Sequence, residues 1–349
     1  MKSVVVHTGG KMTVEDRPVP ELKSSGDVLV RIAYSGLCGS DIPRIFANSS
    51  HYYPITLGHE FSGHVVSIGE DIHDLQEGDA VACVPLLPCF ECEECKKAAY
   101  SQCKHYDFIG SRREGGHAEY AVVSRKNLFK LPENASLLQG AFLEPITVGL
   151  HALKLAGGCQ DKEVIVIGAG TIGQLIIQAA SALGAKSVTA VDINPQRLAL
   201  ALETGASHAF NSATLSADDI RQKTQERRFN QLIIETAGTP QTVALSLDIA
   251  GPKAQVALVG TLHKDLTLNV STFSHILRKE LTLLGSWMNY SAPWPGSEWQ
   301  QATQLFAEKR INLDALIASI GAPEDFVREV TALAGKPMTG KILLDMTGS

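Results

Sequence analysis

Four of the seven cysteines in this chain of 349 residues lie close together, at Cys89, Cys92, Cys95 and Cys103. Four thiolates suit a structural zinc ion, which they enclose in a tetrahedron. The alternatives are two disulfides or four unrelated thiols. Disulfides form in oxidising compartments, and the N-terminal residues lack the apolar run of a secretory signal. The spacing therefore predicts a zinc-stapled lobe over 89–103 in a cytoplasmic protein. Because a closed site has no open ligand position, the lobe alone predicts stability and not catalysis.

Length, charge and hydropathy exclude several classes of protein. A chain of 349 residues is long enough for two domains. Its net charge of −6 argues against a general nucleic-acid or anionic-membrane surface. No stretch approaches the ~18 apolar residues that a membrane-spanning helix needs. We therefore expect a small-molecule partner, no nucleic acid and no membrane.

The sequence pattern changes near residue 147. The residues before it form short β-rich segments separated by glycine and proline, which favours an antiparallel, barrel-like domain. From Lys162 onward, apolar strands alternate with amphipathic helices, and this alternation predicts a parallel, doubly wound sheet. The C-terminal GKILLDM is typical of a strand that returns to the first domain. We expect one domain over 1–147 and 288–349, and a second over 148–287.

A glycine turn opens the first helix of the second domain. Gly168, Gly170 and Gly173 form GAGTIG directly after the strand EVIVI. In such a turn the glycines allow a tight bend, a close approach of the backbone to a pyrophosphate, and close packing of helix on strand. The free N–H groups of the helix then favour the negative charge. The residues predicted to bind a dinucleotide here are Gly168, Gly170, Thr171, Ile172 and Gly173.

Asp192 ends the next strand, where a carboxylate accepts hydrogen bonds from the adenosine ribose hydroxyls. Its charge would repel a 2′-phosphate, so the sequence favours NAD over NADP. Arg197 follows closely and is interpreted either as a cofactor contact or as a solvated cation at the start of a helix.

Cys38, His59 and Glu60 stand near the ends of β-rich segments, in SGLCGSD and LGHEFSG. Taken singly, such a cysteine is usually a small buried side chain and such a histidine is usually an ordinary core or surface residue. Their occurrence with a cysteine lobe and a dinucleotide turn makes a second metal site the stronger interpretation.

GHEFSG, the cysteine lobe, EPITVGLHA and the glycine turn occur together in this order. In this combination the chain resembles the zinc-dependent medium-chain alcohol dehydrogenase superfamily over essentially its whole length. The resemblance implies a GroES-like β-barrel catalytic domain and a Rossmann domain. The dipeptide Glu144-Pro145 resembles the Glu-Pro of the polyol branch of this superfamily. Simple alcohol dehydrogenases carry a cysteine at this position instead. Five longer segments resemble members of that branch that oxidise a sugar-alcohol phosphate. They are HYYPITLGHEFSG, PLLPCFECEEC, YDFIGSRREGG, FNQLIIETAG and GSWMNYSAPWPG.

The family pattern implies two zinc ions per chain and NAD. The catalytic zinc would be held by Cys38, His59 and Glu144, with water or substrate in the fourth position. Glu60 would be a neighbouring carboxylate that coordinates transiently. Ser40 is the candidate for the first proton relay, since a hydroxyl both donates and accepts, or else it caps a turn.

A phosphorylated substrate needs positive charge, and guanidinium groups match phosphate oxygens. The candidate substrate contacts are Arg44, Arg112, Arg113, Trp287, Asn289 and Tyr290. The alternatives that remain open are a related zinc dehydrogenase acting on unphosphorylated sorbitol, threonine or butanediol, and a non-catalytic nucleotide-binding protein. Relatives commonly form a homodimer, or a homotetramer, through an apolar edge strand such as LTLLGS.

Overall fold

The computed structural model describes residues 1–224, 229–336 and 338–348. The chain forms two compact units: Met1–Glu144 with Tyr290–Ala307 and Ile317–Ser349, and Pro145–Asn289 with Glu308–Leu316. The short segment 308–316 thus clusters with the second unit, whereas the sequence placed it with the first. Hydrogen bonds explain this, because Asn312 N–H donates to Gln178 Oε1 at 2.6 Å and Arg310 donates to the carbonyl of Ala182.

The first unit is built mainly from short strands, as its frequent glycines and prolines predicted. Its strands are β1 Lys2–Val6, β2 Met12–Asp16, β3 Asp27–Gly36, β4 Glu60–Ile68, β5 Ala80–Cys83, β6 Leu86–Leu87, β7 Asp107–Phe108, β8 Tyr120–Ser124, β9 Leu128–Lys130, β16 Ile317–Gly321 and β17 Lys341–Asp345. Its helices are α1 Asp41–Phe46, α2 Glu93–Lys96, α3 Leu137–Ala141, α10 Ser297–Ala307 and α11 Pro323–Leu333, while α4 Leu143–Leu155 begins in this unit and ends in the other.

A seven-stranded sheet organises the first unit in the order β16-β17-β3-β4-β5-β9, with β8 paired to β3. All of these pairings are antiparallel except that of β16 with β17. Leu343 of β17 lies opposite Gly36 of β3, so the predicted return of the C-terminal strand is confirmed. The pairing joins the C-terminal strand to β3 in one sheet, while β1 and β2 form a separate two-stranded sheet.

The second unit is a parallel sheet flanked by helices. Its elements after α4 are β10 Glu163–Ile167, α5 Thr171–Ala182, β11 Ser187–Asp192, α6 Pro195–Thr204, β12 His208–Asn211, α7 Ala217–Thr224, β13 Gln231–Glu235, α8 Pro240–Ile249, β14 Gln255–Leu258, α9 Val270–Arg278 and β15 Thr282–Gly285. The strand order is β12-β11-β10-β13-β14-β15, and all five pairings are parallel. This order changes direction between β10 and β13, the position at which doubly wound sheets bind nucleotides.

Each unit has its own apolar core. In the first unit the alternate residues Val28, Val30 and Ile32 of β3 are buried, as expected for a strand with one face on the core. In the second unit every residue of β10, β11 and β13 is buried, as expected for a sheet covered on both faces. Among the described residues, none of the helices has the length and hydropathy needed to cross a bilayer.

Candidate metal centres and dinucleotide site

The four clustered cysteines surround one point. The Sγ atoms of Cys89 and Cys95 are 4.0 Å apart, those of Cys92 and Cys103 are 3.8 Å apart, and those of Cys103 and Cys89 are 3.6 Å apart. A tetrahedron with metal–sulfur bonds of about 2.3 Å has edges of about 3.8 Å, so the sulfur positions fit one zinc ion. The short helix α2 supports this geometry, since it begins after Cys92 and carries Cys95.

The lobe is anchored to the rest of its unit by an aromatic cluster of Phe90, Tyr100 and Trp294. The ring of Phe90 meets those of Tyr100 and Trp294 edge to face, at centroid distances of 5.8 and 5.2 Å. The ammonium group of Lys126 lies 5.0 Å from the Phe90 ring, and the indole N–H of Trp294 donates to the Lys126 carbonyl. The cluster therefore fixes the orientation of a loop that has little core of its own.

The lobe is electrostatically suited to a cation. Backbone N–H groups of Glu91 and Cys92 lower the pKa of Cys89 to about 6, which favours the thiolate form of this sulfur. Burial and the neighbouring sulfurs raise the pKa of Cys95 to about 12. A bound cation would supply the missing positive charge and hold all four sulfurs as thiolates.

Cys95→Ser is expected to remove metal from the lobe and to lower the melting temperature by several degrees, because an oxygen replaces the buried thiolate. Metal analysis should fall from about two zinc ions per chain to about one, while turnover is retained at low temperature. Cys159→Ser is the matched control, since Cys159 is a buried cysteine of the other unit whose thiol lies 3.8 Å from the carbonyl of Ala180. An unchanged metal content in the Cys95 variant would contradict the structural role.

A second cluster gathers Cys38, His59 and Glu60, whose ligand atoms all lie within 4.8 Å of one another. Cys38 follows β3, and His59 and Glu60 stand at the start of β4, which pairs with β3 so that Gly36 faces Glu60. A side chain at Gly36 would overlap the Glu60 carboxylate, so this glycine makes room for the charge. A thiol, an imidazole and a carboxylate in this arrangement fit a zinc ion.

The surroundings of Cys38 and His59 lack the positive charge that a bound cation would provide. Burial raises the pKa of the Cys38 thiol well above its usual range, and the charges of Glu60, Asp41 and Glu144 raise it further. Within the described part of the chain, Nδ1 of His59 has no hydrogen-bond partner and lies 3.8 Å from Asp41 Oδ1. A buried unpaired nitrogen costs free energy, so the site as folded favours a ligand.

Glu144 is not one of the three clustered groups, although the family resemblance implied it as a zinc ligand. It lies in the first turn of α4 and is half-buried. Burial is the main cause that raises the pKa values of Cys38 and Cys83. The negative charge of Glu144 raises both pKa values further. Glu144 therefore lies close enough to act electrostatically on this centre.

Lys341 is a component of the site that the sequence pattern did not identify. Its ammonium group donates to Glu60 Oε2 at 2.5 Å and to the Leu37 carbonyl at 3.1 Å. The side chains are 3% and 1% exposed, so the ion pair is fully desolvated. Burial alone would lower the pKa of Lys341, but the charges of Glu60 and Cys38 outweigh it and raise the pKa. A lysine at the start of the otherwise apolar strand GKILLDM was the available signal.

The candidate relay hydroxyl of Ser40 is exposed and precedes helix α1. It does not cap the helix, because its side chain makes no capping hydrogen bond. Instead, Ser40 Oγ accepts a hydrogen bond from Arg44 Nη1 at 3.0 Å. The same nitrogen donates to Asp41 Oδ1 at 3.1 Å. Arg44, expected as a phosphate contact, is therefore already engaged beside the metal cluster.

Arg112 and Arg113 lie together, apart from Arg44. Both line a cavity of about 850 Å³ in the first unit, and Arg44 is not part of that lining. Arg112 stacks on the ring of Tyr106 at 4.5 Å, and Arg113 pairs with Asp107. The lining of this cavity therefore brings together two of the three predicted arginines.

The three predicted residues after β15 differ in their surroundings. Trp287 is 49% exposed, whereas Asn289 is buried and donates to Thr147 Oγ1 at 2.6 Å. Tyr290 is buried in the first unit, where its hydroxyl accepts from the N–H of Leu86 at 3.2 Å. Tyr290 thus holds β6 in place.

The glycine turn leaves space for a dinucleotide. Gly168 has a φ of +93°, which favours glycine, and a side chain at Gly173 would overlap the carbonyl oxygen of Gly168. A side chain at Gly170 would meet nothing within 4 Å, so the N-terminus of α5 faces open space. Gly170 is its N-cap, and no side chain caps the free N–H groups. The cradle therefore fits a pyrophosphate.

Asp192 is held rigidly at the end of β11. Oδ2 accepts from the N–H of Ala169 at 2.6 Å, and Oδ1 accepts from the N–H of Asn194 at 2.8 Å. Arg197 Nη1 lies 3.8 Å from Asp192 Oδ2, so the two side chains form an ion pair. The carboxylate is thus fixed beside the glycine turn, to which Ala169 belongs.

Comparison with known families gives two matches along the chain. Residues 24–133 match the family described as the alcohol dehydrogenase GroES-like domain. Residues 171–308 match the family described as zinc-binding dehydrogenase.

Comparison with individual proteins gives matches over nearly the full length. The chain is 60% identical over 344 residues to galactitol 1-phosphate 5-dehydrogenase of Escherichia coli (strain K12), covering 99% of each. The crystal structure of galactitol-1-phosphate dehydrogenase from Escherichia coli covers 99% of this chain and 100% of its own, with a TM-score of 0.98 and 60% identity. A probable D-xylulose reductase A of Aspergillus clavatus is 31% identical over 315 residues, 88% of this chain and 86% of that protein.

Proposed function

The chain belongs to the zinc-binding dehydrogenase family, and on this premise we propose that it oxidises galactitol 1-phosphate to tagatose 6-phosphate with NAD. The observation that carries this proposal is the 60% identity over 99% of both chains to a galactitol 1-phosphate 5-dehydrogenase. The clustering of Cys38, His59 and Glu60 supports it, because a dehydrogenase of this family needs a catalytic metal centre.

A zinc ion, when bound, acts as a Lewis acid that favours loss of the substrate's hydroxyl proton, and NAD accepts the hydride. Cys38, His59 and Glu144 are proposed to hold the ion. Lys341 holds the Glu60 carboxylate beside them and balances its charge. Ser40 accepts the proton of the substrate hydroxyl and, being exposed, passes its own to solvent water.

The substrate phosphate is proposed to contact arginine side chains, because a guanidinium group forms paired hydrogen bonds to phosphate oxygens. Arg112 and Arg113 line an open cavity, but none of the clustered residues Cys38, His59 and Glu60 lines it. Arg44 lies beside that cluster, although one of its nitrogens is engaged with Ser40 and Asp41.

We further propose that the enzyme works in the cytoplasm, where thiolates stay reduced for metal binding. A homodimer formed through β15 is proposed as the assembly. β15 is the last strand of its sheet, and Leu283 on it is 43% exposed. The neighbouring helix α9 adds exposed apolar side chains, of which Val270 is 84% exposed.

The test is NADH formation by the zinc-loaded protein with galactitol 1-phosphate, beside galactitol, sorbitol and threonine, before and after zinc removal by a chelator. We expect zinc-dependent turnover of the phosphate ester alone. Turnover of an unphosphorylated polyol would instead favour the second candidate, a polyol dehydrogenase such as the 31%-identical xylulose reductases suggest.

Asp192→Asn is expected to lower the preference for NAD over NADP by about tenfold or more, because a neutral amide no longer repels a 2′-phosphate. The amide oxygen can keep the bond from Ala169 N–H that supports the glycine turn, whereas the amide nitrogen cannot accept from the N–H of Asn194, so that bond is lost. The measurement is the ratio of kcat/KM for the two cofactors, with the exposed Asp218→Asn of the same unit as control. An unchanged ratio would show that another group discriminates.

A further inference from the structure

One nitrogen of Arg44 joins the candidate relay hydroxyl to the metal cluster. Nη1 lies 2.9 Å from the Ser40 carbonyl oxygen, 3.0 Å from Ser40 Oγ and 3.1 Å from Asp41 Oδ1. Asp41 Oδ1 is in turn 3.8 Å from Nδ1 of His59, and Asp41 Oδ2 accepts from the N–H of Cys38 at 3.2 Å. The guanidinium group thus connects Ser40 to the surroundings of two predicted zinc ligands.

The local fold fixes Arg44 in this position. It stands in the last turn of α1, three residues after Asp41 and four after Ser40, and both spacings bring its side chain within reach of theirs. The hydroxyl of Tyr53 donates to the Arg44 carbonyl and holds the end of the helix. Asp41 is completely buried whereas Ser40 is exposed, so Arg44 spans from the interior to the solvent-accessible hydroxyl.

We propose that Arg44 is a positioning residue that orients the Ser40 hydroxyl for proton transfer during alcohol oxidation. This inference rests on the proposed function as a dehydrogenase, but not on the identity of the alcohol. A hydroxyl has one proton and two acceptor lone pairs. The hydrogen bond from Arg44 occupies one lone pair, which leaves the other lone pair for the substrate's proton and directs the hydroxyl proton away from the guanidinium group.

The oxidation transfers one hydride to NAD and releases one proton through Ser40. The carbon–hydrogen bond of the substrate breaks, and its electron pair moves with the hydrogen to the nicotinamide of NAD, which is reduced. The substrate O–H proton moves to Ser40 Oγ while the original Ser40 proton moves to water. Arg44 keeps all of its protons, and its positive charge stabilises electron density on Oγ during the transfer.

The test is a double-mutant cycle in the zinc-loaded enzyme with Arg44→Met, Ser40→Ala and the double variant. We expect Arg44→Met to lower kcat about tenfold with little change in KM, and Ser40→Ala to lower kcat about a hundredfold. In the Ser40→Ala background the Arg44 substitution should cause no further loss. Arg328→Met is the matched control, since Arg328 forms an i,i+3 pair with Asp325 at an exposed position.

Two outcomes would overturn the assignment. If Arg44→Met raises KM with kcat unchanged, and does so equally in the Ser40→Ala background, Arg44 binds substrate phosphate instead. If the absorption spectrum of the cobalt-substituted enzyme changes in Arg44→Met, the residue acts through Asp41 on the metal ligands and not through Ser40.

The proposed function is tested separately by the wild-type enzyme. Should wild-type turn over another alcohol rather than galactitol 1-phosphate, the same cycle is measured with that alcohol. Non-additivity of Arg44 and Ser40 would then support the positioning role although the proposed substrate had failed, and additivity would overturn it.

Discussion

Glu144→Ala is expected to abolish measurable turnover and to lower the zinc content from about two ions per chain to about one. The reason is that catalytic zinc sites use three protein ligands, and loss of one carboxylate removes both a ligand and the charge balance of the site. The cysteine lobe, in which three pairs of sulfur atoms lie 3.6–4.0 Å apart, should keep its ion. The measurement combines metal analysis with steady-state kinetics.

Glu60→Ala provides the informative comparison, because Glu60 is the carboxylate that clusters with Cys38 and His59. If Glu144 is the ligand, Glu60→Ala should retain about two zinc ions per chain. If Glu60→Ala loses zinc while Glu144→Ala retains both metal and activity, the ligand assignment is wrong and Glu60 completes the site. The exposed Glu133→Ala controls for loss of a surface carboxylate in the same unit.

Lys341→Met is expected to destabilise the zinc-loaded protein by about 3–5 kcal/mol, because it leaves the Glu60 carboxylate buried without its partner. The two side chains are 3% and 1% exposed and only 2.5 Å apart, so water does not replace the lost ammonium group. Chemical denaturation of the zinc-loaded protein, read by fluorescence and enzyme activity, measures the loss.

Glu60→Gln in the Lys341→Met background should recover most of that stability, since the neutral amide removes the uncompensated charge. Lys253→Met is the matched control: Lys253 pairs with Glu280, but both side chains are largely exposed and their pair contributes little. Equal destabilisation by the two lysine substitutions would mean that burial of the Lys341 pair is unimportant.

Local sequence was sufficient for the features that depend on neighbouring residues. Strand EVIVI, the glycine turn and the following helix are determined within about twenty residues, because backbone conformation and apolar periodicity act at short range. The need for glycine at Gly168 and Gly173 follows from the same local turn, and the structure shows a φ of +93° at the first and overlap for any side chain at the second. The cysteine lobe is likewise a single short loop with its ligands inside it.

For the contact between Ser40 and Arg44, the sequence carries a local signal that is not sufficient to predict the contact. Ser40 and Arg44 are four residues apart, a spacing that brings side chains together on a helix. Whether the helix forms, and whether Arg44 turns towards Ser40 or towards a ligand, depends on the packing of a six-residue helix that is too short to be stable alone. The structure shows the hydrogen bond to Ser40, and the phosphate contact of Arg44 stays a prediction.

The sequence by itself determined a zinc lobe, a dinucleotide turn and the residue types of a catalytic metal centre. Only the tertiary structure decided that Lys341 balances Glu60, because the two residues are 281 positions apart and meet through the pairing of β17 with β3 and of β3 with β4. It likewise decided that Arg112 and Arg113 line one cavity, which Arg44 does not line. The physical reason is that charge pairing in a folded chain depends on distance in space and on desolvation, and neither is encoded by spacing along the sequence.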